Sequence, residues 1–399
     1  MQQDNSGRAW TQGKAGRAAQ VDHVVGWGRM TAGALGLAVA VAVMVAGCGG
    51  SDVPRMMGKV HTSLSKKDTE AARIGLKNVL QKAPDNAEAR FLLGQLLHDT
   101  GDLAGAEVEL RRALELQHPQ EQVLPLLAST LLGMNKGALL LQQFGTSQLN
   151  DPNAQATLQT ALAAAEAGAG NLDAAANRVD ALLRAQPAHA PALLLRARLV
   201  AARGDSADAL AQVRALLARQ PENAEAWQLQ GDLLLRGKAG EPPPPPGPAI
   251  AAYQEAIKRK PGNVAAHTAL IGVYITSADY AAANVQWAAL NTLAPRHPQT
   301  LFFDAVLSEQ RGDYAHAREV AQQVLRSAPN NVPLLMVAGQ AEFKLNALAQ
   351  AEALFAKAVQ QVPTAPGPRQ QLAQVLLRTG QADKALATLA PLLDGNAPT

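Results

Sequence analysis

Residues 87–118 read Ala-Glu-Ala-Arg-Phe-Leu-Leu-Gly-Gln-Leu-Leu-His-Asp-Thr-Gly-Asp-Leu-Ala-Gly-Ala-Glu-Val-Glu-Leu-Arg-Arg-Ala-Leu-Glu-Leu-Gln-His. Apolar residues recur every three or four positions on both sides of Gly101-Asp102, which predicts two amphipathic helices joined by a tight turn. The first carries Leu93, Gly94 and Leu97; the second carries Ala106, Leu110 and Ala113. Gly94, Ala106 and Ala113 are small where two helix backbones must approach. Leu93, Leu97 and Leu110 are large where the gap must be filled. One such pair cannot bury its own apolar face, so it predicts neighbours.

The neighbours follow at a fixed period. Pro84, Pro152, Pro187, Pro221, Pro261, Pro295, Pro329 and Pro363 are spaced by 68, 35, 34, 40, 34, 34 and 34 residues, and His118 stands in the one vacant slot. A small residue opens the second helix at Ala72, Ala106, Ala175, Ala209, Ala249, Ala283, Ala317, Ala351 and Ala385. The first helix has its small residue at Gly94, Ala128, Ala163, Ala197, Gly231, Ala305, Gly339 and Ala373. The turn recurs as Gly101-Asp102, Gly170-Asn171, Gly204-Asp205, Gly312-Asp313 and Gly380-Gln381. This series resembles the tetratricopeptide repeat (TPR), a helix-turn-helix of 34 residues. The resemblance implies an all-α, right-handed superhelical solenoid of about ten units over 56–394, with a short tail at 395–399. Residues that set the repeat are packing residues and not a site.

A chain of 399 residues ordinarily implies two or three globular domains. The repeat overrides that expectation, because a solenoid grows by stacking. Net charge is +3. Arg8, Lys14, Arg17 and Arg29 against Asp4 and Asp22 precede Cys48, which leaves 32 basic and 31 acidic residues after it. With that balance, and no basic stripe interleaved with aromatics, no nucleic-acid partner is expected.

Residues 31–47 carry no charge, follow Arg29 and end in small residues, which reads as a secretory signal over 1–47, with Met30 as an alternative start. The run is shorter than the roughly 20 residues of a spanning helix. It closes on Val45-Ala46-Gly47-Cys48, using the only cysteine in the chain. That sequence resembles the lipobox of bacterial lipoproteins, which implies lipid attachment at Cys48 and a membrane partner. Gly49 stands where an enteric inner-membrane retention signal has Asp, so the periplasmic face of the outer membrane is expected. Residues 48–55 read as the lipidated cysteine and a flexible tether.

Three departures mark the array. Unit three, about 121–154, is degenerate: Leu140 takes the small slot and Asn135 the glycine slot, which predicts looser packing. The 40-residue step in unit six comes from Gly240-Glu-Pro-Pro-Pro-Pro-Pro-Gly-Pro248, so 241–248 reads as a polyproline II insertion on one edge. Trp287 and Phe355 fall in the second-helix slot that packs inward. No polar capping helix is visible after unit ten.

The eight histidines are scattered without metal-ligand spacing, and no phosphate loop or nucleophile elbow occurs. No cofactor, metal or catalytic residue is expected. Candidate groove residues on first helices are Gln95, His98, Arg198, Asp232, Arg236, Gln340 and Lys344.

Residues 71–94, Glu109–Leu116 and Val123–Ala128 are similar to the first repeats of the TPR lipoprotein of PEP-CTERM/exosortase systems. This narrower resemblance spans about 40–130. It implies a lipid-anchored periplasmic scaffold whose partners are proteins of an envelope export or exopolysaccharide apparatus. The alternative is a general assembly or stability factor for outer-membrane pores or pili. A polysaccharide-binding role ranks last, because most aromatics fall in packing slots.

Overall fold

The computed structural model describes residues 52–237 and 242–393, and all regular structure among them is helical. Unit one pairs α1 (Asp52–Ser65) with α2 (Thr69–Lys82), and unit two pairs α3 (Ala87–Asp99) with α4 (Leu103–Glu115). Unit three is α5 (Gln120–Gly133) and α6 (Gly137–Phe144); unit four is α7 (Pro152–Gly168) and α8 (Leu172–Ala185). Then come α9 (Ala190–Ala202) with α10 (Ser206–Arg219), and α11 (Ala224–Leu234) with α12 (Gly247–Arg259). Unit seven is α13 (Val264–Thr276) and α14 (Tyr280–Leu293); unit eight is α15 (Pro298–Gln310) and α16 (Tyr314–Leu325). The last two units are α17 (Val332–Lys344) with α18 (Leu348–Gln361), and α19 (Pro366–Arg378) with α20 (Ala382–Leu393). Each helix packs on its sequence neighbours, as an α-solenoid requires.

The chain writes its helix ends locally. Before second helices stands Asp: Asp68, Asp102, Asp205, Asp279 and Asp313 each accept a hydrogen bond from the N–H three residues on. Before first helices Asn does the same at positions 86, 223, 263 and 331. Such caps satisfy donors that the helix itself leaves orphaned. Gly101, Gly170, Gly204, Gly312 and Gly380 turn the chain with φ between 77° and 97°. Lys67, Asn135, Ala278 and Asn346 hold the same turn in a left-handed conformation without glycine's freedom. The recurring proline acts through the residue before it. Ala83, Gln186, Gln220, Lys260, Ala294 and Val362 are forced to φ between −133° and −145°, which ends the second helix. His118, in the vacant proline slot, stacks on Phe91 with ring centroids 4.6 Å apart.

All the predicted small slots are buried in both helices. Three local expectations need correction, and one about unit three holds. The tether ends earlier than residue 55: Asp52 to Arg55 are helical. Asp52 bonds Arg55 at 2.6 Å and pairs with Lys82, while Val53 packs on the Met57–Val60–Leu76 core. Pro54 is tolerated in a first turn, where its missing N–H costs nothing. The insertion is shorter than 241–248, because Gly247 and Pro248 open α12; residues 242–245 have no regular structure, and Pro246 caps the helix with φ −72° and ψ −22°.

Unit three is the loosest, as its irregular slots predict: Leu140 is completely buried, but α6 has only 8 residues and touches α5 less than the second helix touches the first in any other unit, while α5 packs directly on α7. Trp287 is only half-buried. Ile271 fills the slot where units two to six and eight to ten have Ala or Gly, so the indole lies against Ile271, Leu290 and Phe303 and donates to the Thr300 carbonyl at 3.1 Å. The signal over 1–47, Cys48 and the tail at 395–399 lie outside the described residues.

Candidate functional site

Successive first helices touch along the array: α3 with α5, α5 with α7, α7 with α9, α9 with α11, α11 with α13, α13 with α15, and α15 with α17. The second helices make no comparable contacts with one another. The row that converges is the inner row of a curved stack, so the first helices line its concave side.

Six of the seven candidate residues fall on this row; Arg236, expected on a first helix, lies just beyond the end of α11, and the seven form three separate groups. Gln95 on α3 is exposed. His98, one turn on, places Nδ1 3.0 Å from the buried Thr130 hydroxyl on α5. Thr130 gives its own proton to the Leu126 carbonyl at 2.8 Å, so the imidazole must donate from Nδ1. His98 therefore ties two units together and has one edge left for a ligand.

The middle group is the most polar. Arg198 on α9 is exposed and borders an open hollow with Thr160, Ala164, Leu194, Leu195 and Glu225. Glu225 pairs with Lys260 at 2.8 Å, and that bond holds its carboxyl below the usual range. Asp232 on α11 accepts a 2.8 Å bond from the Tyr253 hydroxyl. Burial raises the Asp232 pKa, against that bond and the opposing pull of Arg198 and Arg236. Burial beside this carboxyl also pushes the Tyr253 phenol up. Arg236, two residues beyond the end of α11, donates to the Ala201 carbonyl of α9 at 3.2 Å. Two guanidinium groups thus flank a half-buried acid, and the site presents positive charge outward.

In the third group the Gln340 amide oxygen on α17 is buried without a hydrogen-bond partner. Lys344, one turn on, is exposed and opposes the rise that burial imposes on Glu309 of α15.

Sequence reasoning missed Glu225, Glu309, Thr130 and Tyr253. Tyr253 was within reach, because it follows Ala249 by four residues and so faces the small slot at Gly231. A Cβ at Gly231 would lie 2.6 Å from the tyrosine ring. The others are ordinary helix-surface residues until the neighbouring unit is in place.

One trio looks catalytic and is not. His316 Nε2 lies 3.2 Å from Asp304, and Ser308 Oγ lies 3.4 Å from the same carboxylate. The acid stands between the other two, so the imidazole cannot take the serine proton, and Ser308 is fully buried. Among the described residues no group of three His, Cys, Asp or Glu could hold a metal.

Two family models described as tetratricopeptide repeat match the chain, one over 63–129 and 346–398, the other over 194–241 and 306–366. Together they reach more than half of it, on the same units that the helices define. The chain belongs to the tetratricopeptide-repeat family. No curated protein matches this TPR chain. Among solved structures it is similar to a tetratricopeptide repeat protein from Parabacteroides merdae, at 18% identity over 73% of this chain and 98% of that one, with a TM-score of 0.41. It is similar to PilW, described as a type IV pilus biogenesis factor, at 16% identity over 50% of this chain and 90% of that one, with a TM-score of 0.43. MamA from Desulfovibrio magneticus shows 18% identity over 43% of this chain and 93% of that one, with a TM-score of 0.36. TPR chains are protein-interaction scaffolds, and no likeness here says what this one binds.

The Asp232 burial has a measurable consequence. Its folded pKa lies above its unfolded value, so its stabilising contribution is present below the unfolded pKa and is lost as pH rises through the folded one. The variant Asp232→Asn keeps an acceptor for Tyr253 and removes the charge. It is expected to match or exceed the parent in thermal stability at pH 7, with the parent gaining on it as the pH falls towards 4. Paired melts at the two pH values check this. A parent that loses ground on acidification would show that Arg198 and Arg236 outweigh burial.

Proposed function

We propose that this TPR chain is a lipid-anchored scaffold of the cell envelope. It faces the periplasm, at the outer membrane, and holds proteins of an exopolysaccharide and PEP-CTERM protein-sorting apparatus. The observation that carries the scaffold reading is the continuous inner row of first helices, with Arg198, Asp232 and Arg236 clustered at its middle. A helix or extended segment bearing acidic residues suits that surface, since outward positive charge steers and orients such a partner. The anchor rests on Val45-Ala46-Gly47-Cys48. The choice of system rests on the similarity over 71–94, Glu109–Leu116 and Val123–Ala128. Chemistry is not part of this reading, because a TPR scaffold acts by holding partners.

The test is a cross-linked pull-down from membranes, read by mass spectrometry, with the parent and with Arg198→Glu/Arg236→Glu. Recovery of export or sorting components by the parent, and their depletion at least about tenfold in the variant, is the expected result. Recovery of only pore or pilus assembly proteins would replace the proposed system with a general envelope assembly role. Equal recovery by parent and variant would remove the groove from the reading.

A further inference from the structure

Positive charge is gathered at one end of the array. Residues 52–82, the first unit, hold 7 basic and 3 acidic residues, whereas 83–399 hold 25 basic and 28 acidic. The near-neutral balance after Cys48 therefore divides into a basic first unit and an acidic remainder. The three acids of the unit are already engaged. Asp52 takes Arg55 at 2.6 Å and also pairs with Lys82, Asp68 caps α2, and Glu70 holds Arg73 at 2.7 Å. Lys59, Lys66 and Lys67 are exposed and have no ion pair among the described residues.

Helix α1 gives these charges one direction. At 3.6 residues per turn, Arg55, Lys59, Thr62 and Lys66 fall within about 60° of one another. All four are exposed, on the side away from Val53, Met57, Val60 and Leu64, which pack into the core of the first two units. The Lys66 N–H still donates to the Thr62 carbonyl at 3.2 Å, so the helical register reaches it. His61 points elsewhere, towards Glu88 of α3 at 3.1 Å. A unit at the end of a solenoid needs a polar outer face, but polarity does not require a single sign. Along this stripe every charge is basic.

The connectivity of the chain says what lies opposite. Only Gly49, Gly50 and Ser51 separate Cys48 from α1, and four residues of fully extended chain span at most about 14 Å. A lipid on Cys48 would hold α1 within about two Debye lengths of the headgroups in physiological salt.

We propose that the face formed by Arg55, Lys59, Lys66 and Lys67 docks on anionic lipid headgroups of the membrane that holds the anchor. The inference rests on the lipid anchor proposed above and adds an electrostatic contact to it. Each Lys or Arg close to an anionic surface strengthens binding about fivefold. The same surface repels the acidic remainder, so the contact also orients the array, with the first unit down and the groove of the later units free.

The test uses the full chain with Thr62→Cys, purified from cells in detergent, labelled with a thiol-reactive fluorophore and reconstituted into vesicles. The vesicles are phosphatidylcholine alone, or phosphatidylcholine with about one-third phosphatidylglycerol, each with a trace of nitroxide-headgroup lipid. Quenching at position 62 is expected to be at least about twofold stronger on the anionic vesicles and to fade in about 0.5 M salt. Lys59→Glu/Lys66→Glu/Lys67→Glu should abolish the difference, and the corresponding triple Lys→Arg variant should keep it. A label at Thr292→Cys, exposed on α14, should not distinguish the two compositions. Equal quenching at position 62 on neutral and anionic vesicles overturns the inference, and so does a difference that survives the triple Glu variant. Failure of the anchor reads differently: an unsubstituted chain whose Cys48 takes the thiol reagent carries no lipid on that sulfur. The same comparison of compositions in a Cys48→Ser background then decides the docking by itself.

Discussion

Replacing Phe355 with Ala is expected to destabilise the last units by about 3–5 kcal/mol. Phe355 is completely buried. Its ring lies over Gly339 so closely that a Cβ there would stand 2.6 Å from Cε1. The same ring joins a cluster with Phe343, Leu372 and Leu376, so one side chain connects α17, α18 and α19. In a solenoid each unit leans only on its neighbours, so the loss should be local. Hydrogen exchange should quicken over Val332–Leu393, leave α3 and α4 unchanged, and appear in a melt as an early shoulder. A single melt shifted as a whole would mean that this array unfolds as one cooperative body and that the nearest-neighbour picture fails here.

The Gly339–Phe355 pair also explains why the slots vary together. Gly94 faces Leu110, Gly231 faces Tyr253 and Gly339 faces Phe355, each within contact distance. Where the first helix has Ala, at 163 and 197, the second has only Val179 and Val213. In these five units volume removed on one side is added on the other. Gly339→Ala alone should cost about 1–3 kcal/mol by overpacking, and less in a Phe355→Leu background. The two changes touch, so a coupling of roughly 0.5–3 kcal/mol is expected in the double-mutant cycle.

The same logic separates what could be read from the chain from what could not. Prolines, turn glycines and small slots act within a few residues of themselves, so Pro84, Gly101 and Ala106 are legible one at a time, and the period makes them certain. Asn135 was legible as a turn residue because left-handed backbone is a local demand. Trp287 was misread because its burial is decided across helices. Ile271, on the facing first helix, displaced it. The start of α1 depended on Val53 finding apolar surface on α2. In the groove, Arg198, Asp232 and Arg236 were found by helix periodicity. The Tyr253 bond that fixes Asp232, and the Thr130 bond that fixes His98, come from neighbouring helices 21 and 32 residues away. Pairings at that range are set by stacking, which no single helix encodes.

If the proposed lipid anchor holds, the largest functional effect is expected from Cys48→Ser, which should abolish acylation outright. Cys48 is the only cysteine in the chain, so no second thiol can take the lipid. Each buried methylene adds about 0.8 kcal/mol to membrane affinity, and one myristoyl chain alone gives only marginal, reversible binding. Two or more acyl chains on one residue make the attachment stable, so loss of the sulfur removes almost all of it. The 17 uncharged residues at 31–47 are a poor substitute, being shorter than the roughly 20 that a spanning helix needs. Alkyne-palmitate labelling should mark the parent and leave Cys48→Ser blank, and in detergent phase partition any cleaved variant should move to the aqueous phase. A parent that takes no label would sink the anchor. Persisting label in the variant would move the lipid to a residue other than Cys48, and the scaffold would then be held in the membrane by chemistry that Val45-Ala46-Gly47-Cys48 does not explain.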